Sequence, residues 1–538
     1  MKTMSFNFQS RRSMVVARRG MVATSHPLAA QVGLRVLMRG GNAADAAIAT
    51  AATLNVVEAA STGIGGDCFA LYFDAKSSTV SALNGSGRAP YDLSIEVLAR
   101  EGITDTIPDR SPHAVTVPGA ARGWEDLLKQ HGSMSLADVL QDPIYYAEQG
   151  FPVSPVYAMA WSLPRVQAVL NASQYAQEYQ ITPRTGQLVT LPALARTFRT
   201  VAEGGADAFY NSSIADAIVL TLQEHGSLMT HHDLRTHVST WDDPISYCYR
   251  DHLVLEHPPN GQGLAALIAL NIASEFDLAS YAPDDPQKLH LMIEAMRCAF
   301  ADVRRHVADP EHYVAPTNYF LSQEYGNRRR KQINAKSAMQ PPNYGTPLNT
   351  SDTVYLCVVD GEGNACSFIN SLYFGFGSGI VAKDTGVFLQ NRGANFVLNP
   401  DHPNALQGGK RPYHTIIPGM IVKDGQFHST FGVMGGFMQP QGHIQVVNAL
   451  LDDNINPQEA LDRPRWCLEA GTGDSTLALE EGIPVATMAA LADLGHRVRP
   501  VTGQDRALFG SGQIIVRDGE GVLYGGSDPR KDGQAVGF

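Results

Sequence analysis

The sequence predicts a mixed α+β protein, with helices dominating its first two thirds and strands its last third. Three observations carry this reading. An apolar stripe at helical spacing occurs within 26–60, and 286–305 also reads as helical. Helices and short loops fill about 92 to 240. After Thr353 the texture changes to apolar runs broken by glycine turns, over 353–360, 365–373, 379–390, 415–423 and 513–518.

Residues 26 to 60 read as two helices. Leu28, Val32 and Val36 mark one stripe, which Gly40-Gly41 ends. Asn42 caps the next helix with Asp45 three residues on, in the manner of a capping box, and its alanines suit close packing on a sheet. Gly63-Ile-Gly-Gly-Asp-Cys-Phe-Ala-Leu-Tyr-Phe73 is a glycine turn entering a strand. Tyr249-Arg-Asp-His-Leu-Val-Leu-Glu256 reads as another strand, followed by the turn Pro258-Pro-Asn-Gly-Gln-Gly263. From 334 to 352 the chain is polar and featureless, the composition of a mobile tether. A helical pattern returns near 440–452. There is no internal repeat or low-complexity tract, and the pieces on either side of 353 are expected to share one core.

A chain of 538 residues, 44% hydrophobic and 17% charged, can bury a large core. Its formal charge of −12 argues against nucleic acid or an anionic membrane as partner. The six cysteines form no CxxC pair, so neither a metal knuckle nor a disulfide framework is expected. The N-terminus is basic but lacks the apolar core of a secretory signal. The stretch from Ala43 to Ala60 is broken by Asp45, Thr50, Thr53, Asn55 and Glu58 and cannot span a bilayer. The expectation is a soluble cytoplasmic protein. Gly375-Phe-Gly-Ser-Gly379 lacks the helix and distal acid of a dinucleotide site, and no cofactor is expected.

The chemistry centres on Thr353. If the backbone is cut between Asp352 and Thr353, the new terminal residue carries a hydroxyl nucleophile and a free α-amine together, a complete acyl-transfer unit. Downstream, Gly432-Val-Met-Gly-Gly-Phe-Met-Gln439 is a glycine turn whose amides can face a developing oxyanion, or simply join two elements. Ser371 stands on the following strand and can orient the nucleophile. Lys410-Arg-Pro-Tyr-His-Thr-Ile-Ile-Pro418 and Asn391-Arg-Gly-Ala-Asn395 gather polar heads able to hold a carboxylate, as does Arg88 in Asn84-Gly-Ser-Gly-Arg-Ala-Pro90. Each also reads as an ordinary loop. Thr230-His-His-Asp-Leu-Arg-Thr-His237 suggests a metal, but its histidines lack zincin spacing and fit a helix start. Arg328-Arg-Arg-Lys331 is the basic end of a helix.

Taken together these residues resemble the gamma-glutamyltransferase family of N-terminal-nucleophile hydrolases. The blocks that carry it run nearly the whole chain: Gly20-Met-Val-Ala-Thr-Ser-His-Pro-Leu-Ala29, Gly40-Gly-Asn-Ala-Ala-Asp-Ala-Ala47, Gly63-Ile-Gly-Gly66, Val117-Pro-Gly119, Thr353-Val-Tyr-Leu-Cys-Val-Val-Asp360, Phe376-Gly-Ser-Gly-Ile380, Lys410-Arg-Pro412, Gly435-Gly436 and Gly526-Ser-Asp-Pro-Arg530. The resemblance implies a four-layer αββα sandwich, made as one precursor that cuts itself into a large subunit, 1–352, and a small subunit, 353–538. It implies Thr353 as nucleophile, Ser371 as supporting hydroxyl and Gly435 and Gly436 as oxyanion hole. His414 and Thr415 fall where the family holds a γ-glutamyl α-carboxylate through two serines. The implied partners are a small amide, glutathione or a related acyl amide, and the two subunits themselves, with a dimer of such heterodimers as one arrangement.

Three positions depart from the family pattern. Where γ-glutamyl binders hold the substrate ammonium with Asn, Gln and Asp, this chain has Tyr373, Arg392 and Asn395. The family's carboxylate-binding Arg is matched by Ser86, with Arg88 two residues on. By family frequency the first expectation is a γ-glutamyl amide. Local chemistry favours an acyl group with carboxylate or oxo groups and no amine, the substrate type of oxamate amidohydrolases and glutaryl or cephalosporin acylases. Two rivals are a metal hydrolase using His231, His232 and His237, and a degenerate homologue kept for binding.

Overall fold

The structure, a computed structural model, describes residues 12–339, 352–469 and 476–538. Most of the expected tether falls at 340–351, outside the described residues. Two seven-stranded sheets form the centre, and every strand pair in both is antiparallel. The first runs Gln534–Gly537, Met21–Thr24, Asp352–Val359, Ala365–Tyr373, Asp67–Asp74, Thr79–Gly85, Thr240–Asp242. The second runs Val15–Ala17, Leu523–Ser527, Ser511–Arg517, Gln426–Met434, Gly419–Lys423, His252–Glu256, Ile245–Tyr249. Strands from before and after residue 353 lie side by side in both sheets.

Side-chain alternation builds the layers. Along Asp352–Val359, Val354, Leu356 and Val358 pack on one face with the helices Pro27–Met38 and Ala43–Val57. Tyr355, Cys357 and Val359 point the other way, into an inter-sheet core with Phe69, Leu71, Ile369, Met420, Met434 and Ile515. Beyond the second sheet, Gly263–Ala273, Pro286–His306 and Met438–Leu451 cover its outer face. The order is helix, sheet, sheet, helix.

Ala43–Val57 is buried along its whole length, and its alanines let the helix axis approach the sheet. Asn42 and Asp45 form the expected reciprocal cap. Three expectations change. The strand 249–256 is a hairpin, Ile245–Tyr249 with His252–Glu256, turned by Arg250 and Asp251 at φ 48° and 61°. Neither is a glycine, so no local pattern marks the turn. The run 379–390 reduces to the short pair Val381–Ala382 and Val387–Phe388. Strand 415–423 begins only at Gly419, because Pro418 has no N–H to pair. Among the described residues no helix is long and apolar enough to cross a membrane. All six cysteines are unpaired, and all but Cys248 are buried.

Candidate active site

Thr353 is the second residue of its strand and is almost wholly buried. The ladder with Ala365–Tyr373 is irregular at that point: Asp352 pairs with Tyr373 but Val354 with Asn370, so two partner residues oppose Thr353. Such a bulge releases the local backbone from pairing and re-aims side chains. Thr353 shares the inter-sheet parity of Tyr355, and Ser371 that of Ile369. Their hydroxyls meet with Thr353 Oγ1 3.1 Å from Ser371 Oγ.

Ser371 Oγ accepts from Arg392 Nη2 at 3.1 Å and from the Tyr373 amide at 2.9 Å. Those N–H groups occupy its lone pairs, and the Thr353 hydroxyl is within hydrogen-bond reach. Arg392 sits on the 3-10 turn Arg392–Asn395 and is completely buried. Its Nη1 donates to Thr415 Oγ1 at 2.7 Å, and its guanidinium lies 4.3 Å from the centre of the Tyr373 ring. Tyr373 holds a positive φ of 81°, a strained backbone for an aromatic residue. The Tyr373 hydroxyl donates to Asn395 Oδ1 at 2.8 Å. Among the described residues no carboxylate pairs directly with Arg392, and its Nε has no acceptor. Burial pulls the guanidinium down to about 10, opposed by Asp67 and Tyr373, and it stays cationic at neutral pH.

His414 joins through Asp67. Its Nδ1 accepts from the Ile416 amide at 3.3 Å, so Nε2 carries the proton and donates to Asp67 Oδ2 at 3.0 Å. Asp67 Oδ1 accepts from the Gly87 and Gly119 amides and from Gln390, whose Oε1 takes the Arg392 amide. Burial raises the Asp67 carboxyl to about 7, against Arg392 and those donors. Burial, aided by Arg392 and His257, holds His414 far below the usual imidazole range and thus neutral.

The glycine turn is built to present amides. Gly435 and Gly436 have φ of 125° and 60°, conformations that L side chains rarely adopt. Their carbonyls are engaged: Gly435 O accepts from the Met438 amide at 3.0 Å, and Gly436 O from Gln262 Nε2 at 2.8 Å. Neither glycine N–H has an acceptor among the described residues. The helix Met438–Leu451 starts directly behind and adds its positive end. Gln262 also donates to Thr415 O, tying the turn to the Arg392 cluster.

Of the residues expected from sequence, Thr353, Ser371, Tyr373, Arg392, Asn395 and Thr415 form one contact network. His414 joins through Asp67 and Gln390, and Gly435 and Gly436 through Gln262. Arg88 is not brought to this network. It lies in an ion pair with Glu311 at 2.5 Å. Asp352 begins the strand, paired by backbone with Tyr373. Asp67, Gln390 and Gln262 were missed; the available signal for Asp67 was an acid placed after a glycine turn at the head of a wholly apolar strand. The three histidines of 230–237 do not converge. His231 pairs with Asp216, His232 lies by Tyr91, and His237 is buried against Tyr210.

Among the described residues the one trio of potential metal ligands is His290, Glu294 and His496. Its imidazoles already form a directed relay. His290 Nε2 donates to Asn334 O, so Nδ1 accepts from His496 Nε2 at 2.8 Å, while Arg297 donates to His496 Nδ1. A cationic guanidinium at that position disfavours a metal ion.

Residues 29–538 match the family model described as gamma-glutamyltranspeptidase. The chain is 37% identical over 531 residues to the glutathione hydrolase-like YwrD proenzyme of Bacillus subtilis, covering 97% of this chain and 99% of that protein. It is 34% identical over 535 residues to the oxamate amidohydrolase proenzyme of Klebsiella pneumoniae, covering 97% and 99%. Among solved structures, a cephalosporin acylase from Bacillus halodurans superposes with a TM-score of 0.93 at 44% identity, covering 100% of this chain and 99% of that one.

Proposed function

Because this chain belongs to the gamma-glutamyltranspeptidase family, we propose that it is a self-processing threonine amidohydrolase for small amides whose acyl group carries a carboxylate and no ammonium. Processing breaks the peptide bond between Asp352 and Thr353: Thr353 Oγ1 attacks the preceding carbonyl, the backbone shifts to an ester, and water releases residues 1–352. Proenzyme relatives support this step.

The freed α-amine, with a pKa of about 7.7–8.0 in an unperturbed chain, is substantially neutral near pH 7.5. It takes the Thr353 hydroxyl proton as the oxygen attacks the substrate carbonyl. In this reading the Gly435 and Gly436 amides, which have no acceptor among the described residues, receive the oxyanion, and an oxyanion donor is typically worth about 100–1,000-fold in rate. Collapse breaks the C–N bond, and the leaving amine takes the proton from the Thr353 ammonium. Water then attacks the acyl-threonine ester, with the amine again as base, and releases the acid.

The observation that carries the substrate class is Arg392, whose buried guanidinium donates, among the described residues, only to the neutral hydroxyls of Ser371 and Thr415. Asp67 offsets this charge without touching it; a buried cation lacking a direct carboxylate partner is costly, and a substrate carboxylate in contact relieves that cost. A substrate ammonium at the same place is repelled by about 4 kcal/mol at 4 Å and an effective dielectric of 20. The relatives named oxamate amidohydrolase and cephalosporin acylase fit this reading. The name glutathione hydrolase-like fits the first expectation instead. A panel of oxamate, glutaryl-anilide and γ-glutamyl-anilide on processed enzyme decides between them. Oxamate or glutaryl turnover well above γ-glutamyl is expected. Good γ-glutamyl turnover with poor turnover of both others overturns the proposal.

A further inference from the structure

We propose that Asp67 is a positioning residue for Thr353, because its carboxylate holds both anchors of the Arg392 guanidinium that steadies Ser371. This rests on the reading of Thr353 as nucleophile and needs no choice of acyl group.

Asp67 stands directly opposite Ser371 on the neighbouring strand, and Thr353 lies on the strand beyond, at the bulge. Directly opposed residues put their side chains on one face of a sheet. Asp67 also shares the parity of Phe69 and Leu71, which point into the inter-sheet core. Asp67, Ser371 and Thr353 therefore form one buried row across three adjacent strands.

The carboxylate divides its two oxygens between the two segments that anchor Arg392. Oδ1 accepts from Gln390 Nε2 at 3.1 Å, and Gln390 Oε1 accepts from the Arg392 amide at 3.1 Å. Oδ2 accepts from His414 Nε2 at 3.0 Å, and the next residue, Thr415, accepts from Arg392 Nη1 at 2.7 Å. The remaining terminal nitrogen of the guanidinium, Nη2, reaches Ser371. One carboxylate thus fixes Arg392 at its backbone and at its tip. Both ring nitrogens of His414 are engaged, Nε2 with Asp67 and Nδ1 with the Ile416 amide. His414 has no hydrogen bond left for a substrate and acts as the arm that sets Thr415.

The partners of Asp67 make its charge matter. The Gly87 and Gly119 amides, Gln390 and His414 are all donors. A proton arriving on the carboxyl meets donors alone and must displace one of them. Where it displaces His414, Thr415 and the tip of Arg392 are released. The titratable groups around Asp67 are Arg392, His414, Cys68, Tyr210, His257 on the shared Phe69 ring and His237 beside Gly119. Burial keeps all of them except Arg392 neutral at pH 7.

Scission of newly made precursor reads Thr353 without any added substrate. Cell-free translated chain is shifted to a series of pH values, and the 353–538 fragment is followed on a denaturing gel. Asp67→Asn puts an N–H against a donor, and at about pH 8 it should be cut roughly tenfold or more slower than wild type, the effect of one lost hydrogen bond to a charged group. The wild-type rate should fall as pH drops below about 7 and meet a flat Asp67→Asn rate near about pH 5. A role confined to stability would slow Asp67→Asn at every pH and leave its acid limb in place. Gln390→Met severs the Oδ1 arm, keeps the carboxylate, and should be slowed about threefold or more with the acid limb retained. Equal rates for wild type and Asp67→Asn, or an acid limb surviving in Asp67→Asn, overturn this inference alone. If Asp67→Asn does not fold, an undiminished rate in Gln390→Met or a flat wild-type profile overturns it. Wild-type precursor that is never cut removes the Thr353 reading and this inference together.

Discussion

Arg392 Nη2 donates to Ser371 Oγ across 3.1 Å, the same separation that divides Ser371 from the Thr353 hydroxyl. A buried cation therefore stands one side chain away from Thr353, the proposed nucleophile. Under the proposed function that contact joins substrate recognition to catalysis, and most of the expected behaviour follows from it.

Replacing Arg392 by Gln removes the charge while keeping an amide. Losing one partner of a buried charged contact costs about 2–5 kcal/mol. Turnover of oxamate or glutaryl-anilide should fall roughly 30-fold or more, with γ-glutamyl-anilide falling less. Steady-state kcat/KM on both substrate types reads this. An equal loss on both means that Arg392 serves structure alone.

Ser371→Ala should lower kcat with little change in KM, because Ser371 contacts Thr353, the proposed nucleophile. A lost hydrogen bond of about 1–2 kcal/mol corresponds to roughly 5–30-fold. Ser371→Thr should recover most of the rate. A rise in KM with kcat intact would place Ser371 in substrate binding instead.

Much of this site was legible in the sequence because its parts sit on element ends with strong local signals. Thr353 heads an apolar run, Ser371 follows by one strand, and Gly435-Gly436 is a turn that needs positive φ. Asp67 and Gln390 escaped because their partners are remote in sequence: Asp67 meets Gly87, Gly119, Gln390 and His414. Arg88 drew attention through its glycine loop, yet its partner is Glu311, a pairing that no local pattern encodes. The fold followed the same rule. Ala43–Val57 was legible from its Asn42 cap and its alanines, and 286–305 as a helical segment, while the Arg250-Asp251 turn, lacking glycine, was not.

Asp67 gives a pH signature. Its folded pKa is raised to about 7, so the fold opposes its ionisation. Its contribution to stability is complete below the ordinary aspartate value of about 3.9 and is lost as pH rises through about 7. The Tm of wild-type protein, relative to Asp67→Asn, should fall between about pH 4 and pH 7 and level off above. Parallel Tm profiles for the two proteins contradict the assignment.

The His290–His496 relay has the opposite sign. Burial, with Arg297 and His290, pushes His496 down to about 3. Its contribution is present above the ordinary imidazole value of about 6.5 and is lost as pH falls toward 3. The relay joins a residue before the proposed cut to one after it. Lowering pH from 7 to 4 should therefore loosen the two pieces, and His496→Asn should flatten that part of the Tm profile. A variant as acid-sensitive as wild type would remove the relay from the account.

Intact-mass spectrometry of catalytically active protein reads the proposed scission directly. Two species corresponding to residues 1–352 and 353–538, with Thr353→Ala giving a single inactive chain of about 58 kDa, are the expected result. Full activity in protein whose residues 352 and 353 remain joined would contradict the terminal-threonine mechanism outright.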